Sequence, residues 1–351
     1  MKLVTFDSNG QPRVGLIHED KLIDLVAAVR RLDVIPGGRG KDEGFARARV
    51  GNSMLELIER GEHALDAARA VLQNAASLPE AHDGFPIVHE LSQTRLLAPI
   101  PRPPSMRDGY AFRQHVVTAR KNRGLEMIPE FDQFPVFYFT NHNSVVGPGD
   151  VVVERDHLER LDYELEVAVV IAKSGSNWSV KEADASLFGL LVMNDWSARA
   201  LQMEEMKLSL GPAKGKDFAT SLGPFLVTLD ELKDRTTESP RGRTFDLPMR
   251  AFINGKQLSQ GNVKDMNWTF AEIVARASYG VTMHAGDVIG SGTCGTGCLL
   301  ELNGSKITDN LWLKAGDNVR LEVDKLGVLE NRIVSREGST HIAPELRSTK
   351  T

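Results

Sequence analysis

Between Leu161 and Lys173 the chain reads Leu-Asp-Tyr-Glu-Leu-Glu-Val-Ala-Val-Val-Ile-Ala-Lys, and no other stretch limits the fold so tightly. Its apolar, β-branched run predicts a buried strand. Side chains two apart on a strand share a face, so Glu164 and Glu166 point the same way. Two carboxylates held that close raise each other's proton affinity and are costly to bury unless a cation neutralises them. The spacing alone leaves two readings open. Either the strand faces an interior that holds a cation, the simplest being a metal ion, or it is an edge strand with both glutamates in water.

At 351 residues the chain exceeds the usual size of a single core, so one large domain plus a smaller one is expected. Hydrophobic residues at 41% and charged residues at 25% exclude a disordered chain. A net charge of -5 with no basic cluster argues against a nucleic-acid partner. Cys294 and Cys298 are too few for a disulfide scaffold and lack the company a zinc site needs, so they read as reduced thiols in a turn. The first residues carry Asp7 and no apolar core of signal length, and no run reaches the ~18 apolar residues of a membrane span. A cytoplasmic protein without membrane contact is the expectation.

Residues 1–96 read as a small mixed α/β domain. Strands are predicted at Leu3–Phe6, Arg13–Ile17 and Lys21–Leu25, the first two joined by the turn signal Ser8-Asn9-Gly10. One helix starts at Ser53 as cap with Glu56 at the capping-box position, and another covers Glu62–Gln73. His18, His63, His82 and His89 are isolated. Pro99, Pro101, Pro103 and Pro104 favour a stiff extended connection, which sets the boundary of a second domain, 97–351. There, Arg107–His115 reads as a turn entering a helix that continues to Lys121, and Phe134–Thr140 as a strand. Gly149-Asp150, Gly286-Asp287 and Gly316-Asp317 each open a strand, and Asn254-Gly255 marks a two-residue hairpin. Asp230–Arg243 reads as a solvated insertion and Phe270–Ala277 as a helix. The fold class is α+β, dominated by β-structure.

Leu190–Asp195 predicts a second buried strand, followed at once by a helix through Met206. Asp195 then sits at a strand tip, where it is either a functional side chain or a plain helix cap. Arg199, Gln202 and Met206 follow at helical spacing on one face, and Arg199 is also placed to pair with Asp195. Asp108, Glu164, Glu166 and Asp195 are four carboxylates on separate elements. Oxygen donors without sulfur or imidazole suit Mg²⁺, Ca²⁺ or Mn²⁺, not zinc or copper.

Five segments, in this order, closely resemble the fumarylacetoacetate hydrolase family. They are Asp108-x6-His115, Leu161-Asp162-Tyr163-Glu164-Leu165-Glu166, Asn194-Asp195-Trp196-Ser197-Ala198-Arg199-x2-Gln202, Leu210-Gly211-Pro212-x3-Lys216-x-Phe218, and Ser291-Gly292-Thr293 followed by Leu300-Glu301-Leu302. The likeness spans about residues 97–335 and points to the fumarylacetoacetase-like branch, whose small preceding domain the N-terminal part resembles more loosely. It implies a mixed β-roll catalytic domain, a homodimer, and a divalent ion held by Asp108, Glu164, Glu166 and Asp195, with Mg²⁺ ahead of Ca²⁺ or Mn²⁺. It also implies a water-activating pair, His115 and Glu301. Arg199, Gln202 and Lys216 would surround the substrate oxygens, with Thr293 and Tyr138 near the substrate carboxylate. Met206 stands where fumarylacetoacetase members carry a tyrosine, and the turn between Thr293 and Glu301 is shorter than theirs. Their arginine soon after the histidine has two candidates here, Arg120 and Arg123.

The chemistry this implies is hydrolysis of a C–C bond in a small diketo acid, in aromatic or related catabolism. A divalent ion chelated by a β-diketone stabilises the enolate that leaves, while His115 activates water. The alternative is a decarboxylase, hydratase or isomerase acting on a 2-oxo acid. The His115 and Glu301 pair favours hydrolysis, since decarboxylation needs no activated water. A non-catalytic metal-binding protein would leave His115, Arg199 and Lys216 without purpose.

Overall fold

A twelve-stranded sheet carries the predicted site. The computed structural model of the protein describes residues 1–32, 43–82 and 84–338. The tail of the second predicted domain, 339–351, lies outside the described residues. Ten strands of the sheet are labelled in chain order. They are β1 (Lys2–Ser8), β2 (Gln11–His18), β3 (Lys21–Asp24), β4 (Val88–Glu90), β5 (Met106–Gly109), β6 (Phe137–Phe139), β7 (Leu165–Ile171), β8 (Leu187–Asp195), β9 (Thr220–Thr228) and β10 (Val288–Gly290). Across the sheet they lie in the order β4-β3-β2-β1-β9-β8-β7-β10-β5-β6. Leu96–Leu97 and Val145–Val146 add short pieces against β1 and β9.

The N-terminal strands form where predicted. Asn9 and Gly10 both take positive φ, 56° and 82°, the geometry of a two-residue hairpin turn. Asn254 and Gly255 do the same at 49° and 79°. β1 then pairs antiparallel with β9, Lys2 opposite Val227 and Leu3 opposite Leu226, so the sheet runs unbroken across the 96/97 boundary.

Eight helices matter here. In chain order they are α1 (Leu25–Arg31), α2 (Glu43–Val50), α3 (Met54–Arg60), α4 (Glu62–Gln73), α5 (Arg113–Lys121), α6 (Arg199–Met206), α7 (Phe270–Ala277) and α8 (Leu299–Gly304). The first four pack Leu57, Ile58, Ala68 and Val71 into one cluster with Ala168, Val170, Leu191 and Met193 from one face of the sheet. On the other face, Leu165, Val167 and Val169 meet Phe270 and Ile273 of α7 and Leu321 and Leu329 from a second, five-stranded sheet. With both faces covered, β7 has no solvent side, which explains its apolar run from Val167 to Ile171. The edge-strand reading of Glu164 and Glu166 is therefore excluded: they are 7% and 0% exposed.

Two local expectations change. Leu161–Lys173 is not one strand: Leu161–Asp162 pairs with Ser197–Ala198, and the chain leaves the ladder at Tyr163–Glu164 before β7 begins. Asn194 Oδ1 accepts from Glu164 N at 2.9 Å in place of a ladder bond. Nor does a helix begin directly after Asp195. Buried Trp196 and the Ser197–Ala198 strand intervene, α6 starts at Arg199, and its cap is Ala198. Asp195 is thus no helix cap. The charged insertion is also more ordered than expected: Leu229–Arg235 forms a 3₁₀ turn that buries Leu232, and Arg243 pairs with Asp184 at 2.8 Å. Both cysteines are free and buried. Among the described residues no helix is long and apolar enough to cross a membrane.

Candidate active site

Three strands bring four carboxylates together beneath one cavity. Glu164 and Glu166 enter from the start of β7, Asp195 from the end of β8, and Asp108 from β5. β10 lies between β7 and β5, with Gly290 opposite Ala168 on one side and Asp108 on the other. A Cβ on Gly290 would come within 2.3 Å of Asp108 Oδ1 and 2.8 Å of Met193 Sδ, so only glycine leaves room for the carboxylate. Gly292 N donates to the same oxygen at 3.0 Å. Gly290→Ala should therefore push Asp108 aside. We expect a stability loss of about 1–3 kcal/mol and a fall in divalent-ion affinity of about tenfold or more by calorimetric titration. Unchanged affinity would show that Asp108 holds no ion.

One oxygen from each of Asp108, Glu164, Glu166 and Asp195 lies within 4.8 Å of the others, and all four residues are buried. Two cations enter this cluster. Lys216 Nζ donates to Glu164 Oε2 and Asp195 Oδ2 at 2.6 Å each. Arg199 Nη2 reaches Glu164 Oε1 at 2.8 Å, and its Nε reaches Asp162 Oδ2 at 2.8 Å. Arg199 thus pairs with Asp162 and Glu164, not with Asp195 as its helical spacing had suggested. The Tyr138 hydroxyl donates to Asp195 Oδ2.

Two cations do not balance five carboxylates. Both oxygens of Glu166 and Oδ1 of Asp195 are buried without a hydrogen-bond partner. Burial, with repulsion from Asp195 and Glu164, raises Asp108 to about 7. Burial and then Asp108, Glu164 and Asp195 push Glu166 well above its ordinary value. Glu164 goes the other way: burial opposes its ionisation, yet Lys216 and Arg199 together hold it at about 2. Excess buried negative charge with orphaned, hard oxygen donors fits a divalent cation.

These shifts make a prediction about the ion-free protein. Asp108 and Glu166 bind protons on folding, because their folded values exceed their unfolded ones. Stability without the ion should then fall as pH rises from about 4 through about 7. Melting temperatures in chelator across that range should decline, and added Mg²⁺ or Mn²⁺ should restore them most at the alkaline end. A flat profile would mean the carboxylates are compensated by groups other than an ion.

Beside the cluster sits the second predicted pair. His115, on α5, places Nδ1 2.5 Å from Glu301 Oε2 of α8. Glu301 Oε1 accepts from Thr296 N at 2.9 Å, so both carboxylate oxygens are fixed. With Nδ1–H donated to Glu301, Nε2 is the ring atom left to act as a base. Tyr110 packs edge-on against the imidazole, centroids 5.7 Å apart.

Asp162 ties the two halves together. It holds Arg199 with one oxygen while accepting from Leu299 N at 2.7 Å and Leu300 N at 3.0 Å, the start of the helix that carries Glu301. Sequence reasoning overlooked it. The signal was present: Asp162, Glu164 and Glu166 continue the same two-residue spacing. Tyr110 was also missed; it follows β5 directly, two residues beyond Asp108.

The cavity above has a volume of about 980 Å³. His115, Glu301, Asp108, Glu164, Arg199, Gln202, Lys216, Tyr138, Thr293 and Met206 all line it, while Glu166 and Asp195 lie beneath its floor. Gln202 Oε1 accepts from Arg199 Nη1 at 2.9 Å. Arg123 opens into the cavity. Arg120 instead donates to the Glu126 carbonyl.

Sheet-borne carboxylates thus lie under a cavity that also holds a carboxylate-fixed histidine. A family model described as fumarylacetoacetate (FAA) hydrolase C-terminal matches residues 105–334. The chain belongs to the fumarylacetoacetate hydrolase family. It is 30% identical over 343 residues to oxaloacetate tautomerase YisK of Bacillus subtilis, covering 95% of this chain and 100% of that one. It is 31% identical over 283 residues to the human mitochondrial oxaloacetate tautomerase FAHD2A, covering 80% of each chain. Among solved structures, the fumarylacetoacetate hydrolase of Exiguobacterium antarcticum matches with a TM-score of 0.66 at 24% identity, over 96% of this chain and 100% of that one. A maleylpyruvate hydrolase from Sphingobium sp. SYK-6, in complex with manganese(II) and pyruvate, matches with a TM-score of 0.65 at 20% identity and the same coverage.

Proposed function

We propose that the protein transfers a proton on a 2-oxo diacid, interconverting its keto and enol forms, as a tautomerase of the oxaloacetate type. The observation that carries this is the His115–Glu301 pair, buried at the wall of the cavity whose floor is the carboxylate cluster. Asp108, Glu164, Glu166 and Asp195 would hold a divalent ion, Mg²⁺ or Mn²⁺, which supplies Lewis-acid polarisation of the substrate oxygens. His115 Nε2 takes the proton from the carbon beside the keto group and returns it to oxygen. Glu301 orients the ring and balances its charge while it holds that proton. Arg199 and Lys216 carry positive charge that burial opposes but their carboxylate partners maintain, and they meet developing negative charge. Near-full-length likeness to proteins named oxaloacetate tautomerases supports the reading.

Hydrolysis of a diketo acid is the second reading, and one observation favours it. The cavity is large for a four-carbon acid and has Met203, Met206 and Trp312 in its wall, room for an acyl group. There His115 would take its proton from water. Ultraviolet loss of enol-oxaloacetate with added Mg²⁺, beside an acylpyruvate assay with product identification, decides between them. Accelerated tautomerisation without C–C cleavage is expected, and cleavage without tautomerisation would reverse the order. A homodimer is part of the proposal, testable by light scattering.

A further inference from the structure

Lys216 stands on the loop between α6 and β9, not on the sheet. Its ammonium keeps two contacts of 2.6 Å, to Glu164 and Asp195. Yet residues 207–212, which lead toward it, run over the surface with Leu208 and Leu210 exposed. A long, flexible side chain needs a fixed origin to hold such contacts, and an exposed excursion supplies none.

Glu205, in the last turn of α6, supplies it from outside the cavity. Its Oε2 accepts from Ala213 N at 2.9 Å and from Gly215 N at 3.2 Å, and its Oε1 from Lys214 N at 2.5 Å. Three successive backbone N–H groups converge on one carboxylate, an anion cradle filled by the protein's own side chain. Bonds of this charged kind are about twice as strong as neutral ones. Gly215 then closes on the helix. Its carbonyl accepts from Ala198 N at 2.8 Å, and a Cβ there would lie 2.6 Å from Gln202 Cβ. Asn141 holds the far side, donating from Nδ2 to the Asp217 carbonyl at 2.9 Å. Arg199, Gln202 and Glu205 recur at three-residue spacing, so α6 delivers the Arg199 cation directly and the Lys216 cation through a loop. We propose that Glu205 is a positioning residue, which acts on the reaction by fixing where the Lys216 ammonium stands between Glu164 and Asp195. The proposal rests on the reading that Lys216 meets negative charge developing on the substrate.

A double-mutant cycle of Glu205→Gln with Lys216→Met tests it. Glu205→Gln should lower kcat about tenfold or more with little change in KM, since the misplaced charge is needed in the transition state. In the Lys216→Met background it should cost nothing further. Gly215→Ala, which pushes the same loop off Gln202, should give the same split, and it serves in place of Lys216→Met if that variant is too slow or does not fold. Calorimetric titration with Mn²⁺ reads the same geometry without turnover. Affinity should rise in each single variant, because the ammonium competing for Glu164 and Asp195 is loosened or lost, and rise no further in the pair. Additive losses, or a normal kcat in both Glu205→Gln and Gly215→Ala, overturn the positioning role. A wild type that binds Mn²⁺ without turning over any 2-oxo acid sinks the functional reading alone, and the titration then decides the role of Glu205. A wild type that does neither removes both.

Discussion

His115→Ala should lower turnover by ~10²–10⁴-fold while leaving divalent-ion binding intact. The imidazole is no part of the carboxylate cluster, so its removal leaves the four clustered carboxylates in place. What disappears is the ring whose Nδ1 is fixed by Glu301 and whose Nε2 is left to accept a proton. Glu301→Gln should also lose activity, because an amide holds the ring but cannot balance the imidazolium. These variants separate base-dependent chemistry from decarboxylation. Tautomerisation and C–C hydrolysis both need the base, whereas decarboxylation of oxaloacetate needs only electron withdrawal and should survive. Wild-type rates for His115→Ala on every 2-oxo acid would make the histidine a packing residue under Tyr110.

Glu166→Gln should do two things at once: abolish divalent-ion binding and make the ion-free protein more stable. Both carboxylate oxygens of Glu166 are buried without partners, and its folded-state proton affinity is well above the ordinary value of 4.5. The folded chain gains about 1.4 kcal/mol when that group is replaced by an uncharged one, for each pH unit between its unfolded and folded values, up to the working pH. The melting temperature in chelator should rise at pH 7–8, and added Mg²⁺ should then no longer move it. Glu164 behaves in the opposite way. It is paired with Lys216 and Arg199, so Glu164→Ala takes one of two carboxylate partners from each of two buried cations, Asp195 and Asp162 remaining, and should lower stability. Equal stabilisation of wild type and Glu166→Gln by Mg²⁺ would remove Glu166 from the ion site.

Much of this site was legible because strand alternation is a strict rule. Glu164 and Glu166 both reach one buried cluster, as read, although Glu164 precedes β7 and lies off the ladder, and Asp195 lies at a strand tip as read. The His115–Glu301 contact joins residues 186 positions apart, and nothing local in either segment announces it. It came from resemblance, not from spacing. What failed was the local geometry around the strand ends. Pairing of Leu161–Asp162 with Ser197–Ala198 is a tertiary event that interrupts both a strand and the expected helix start. The role of Asp162 was lost for the same reason, since its partners are Arg199 and the start of α8. Hydrogen bonding continues across the proline-rich segment through β1 and β9.

That pairing of β1 with β9 bears on how the protein is made. Lys2 and Leu3 find Val227 and Leu226 only after most of the chain exists, whereas Thr5 and Phe6 pair much earlier with Leu97 and Leu96. At a synthesis rate of ~5–20 residues per second, the first strand waits roughly 10–45 s for its central neighbour. During that interval the β1–β2 hairpin presents an open apolar edge on the ribosome. Nascent chains stalled before Thr220 should therefore bind chaperones, and release should follow the emergence of Thr228.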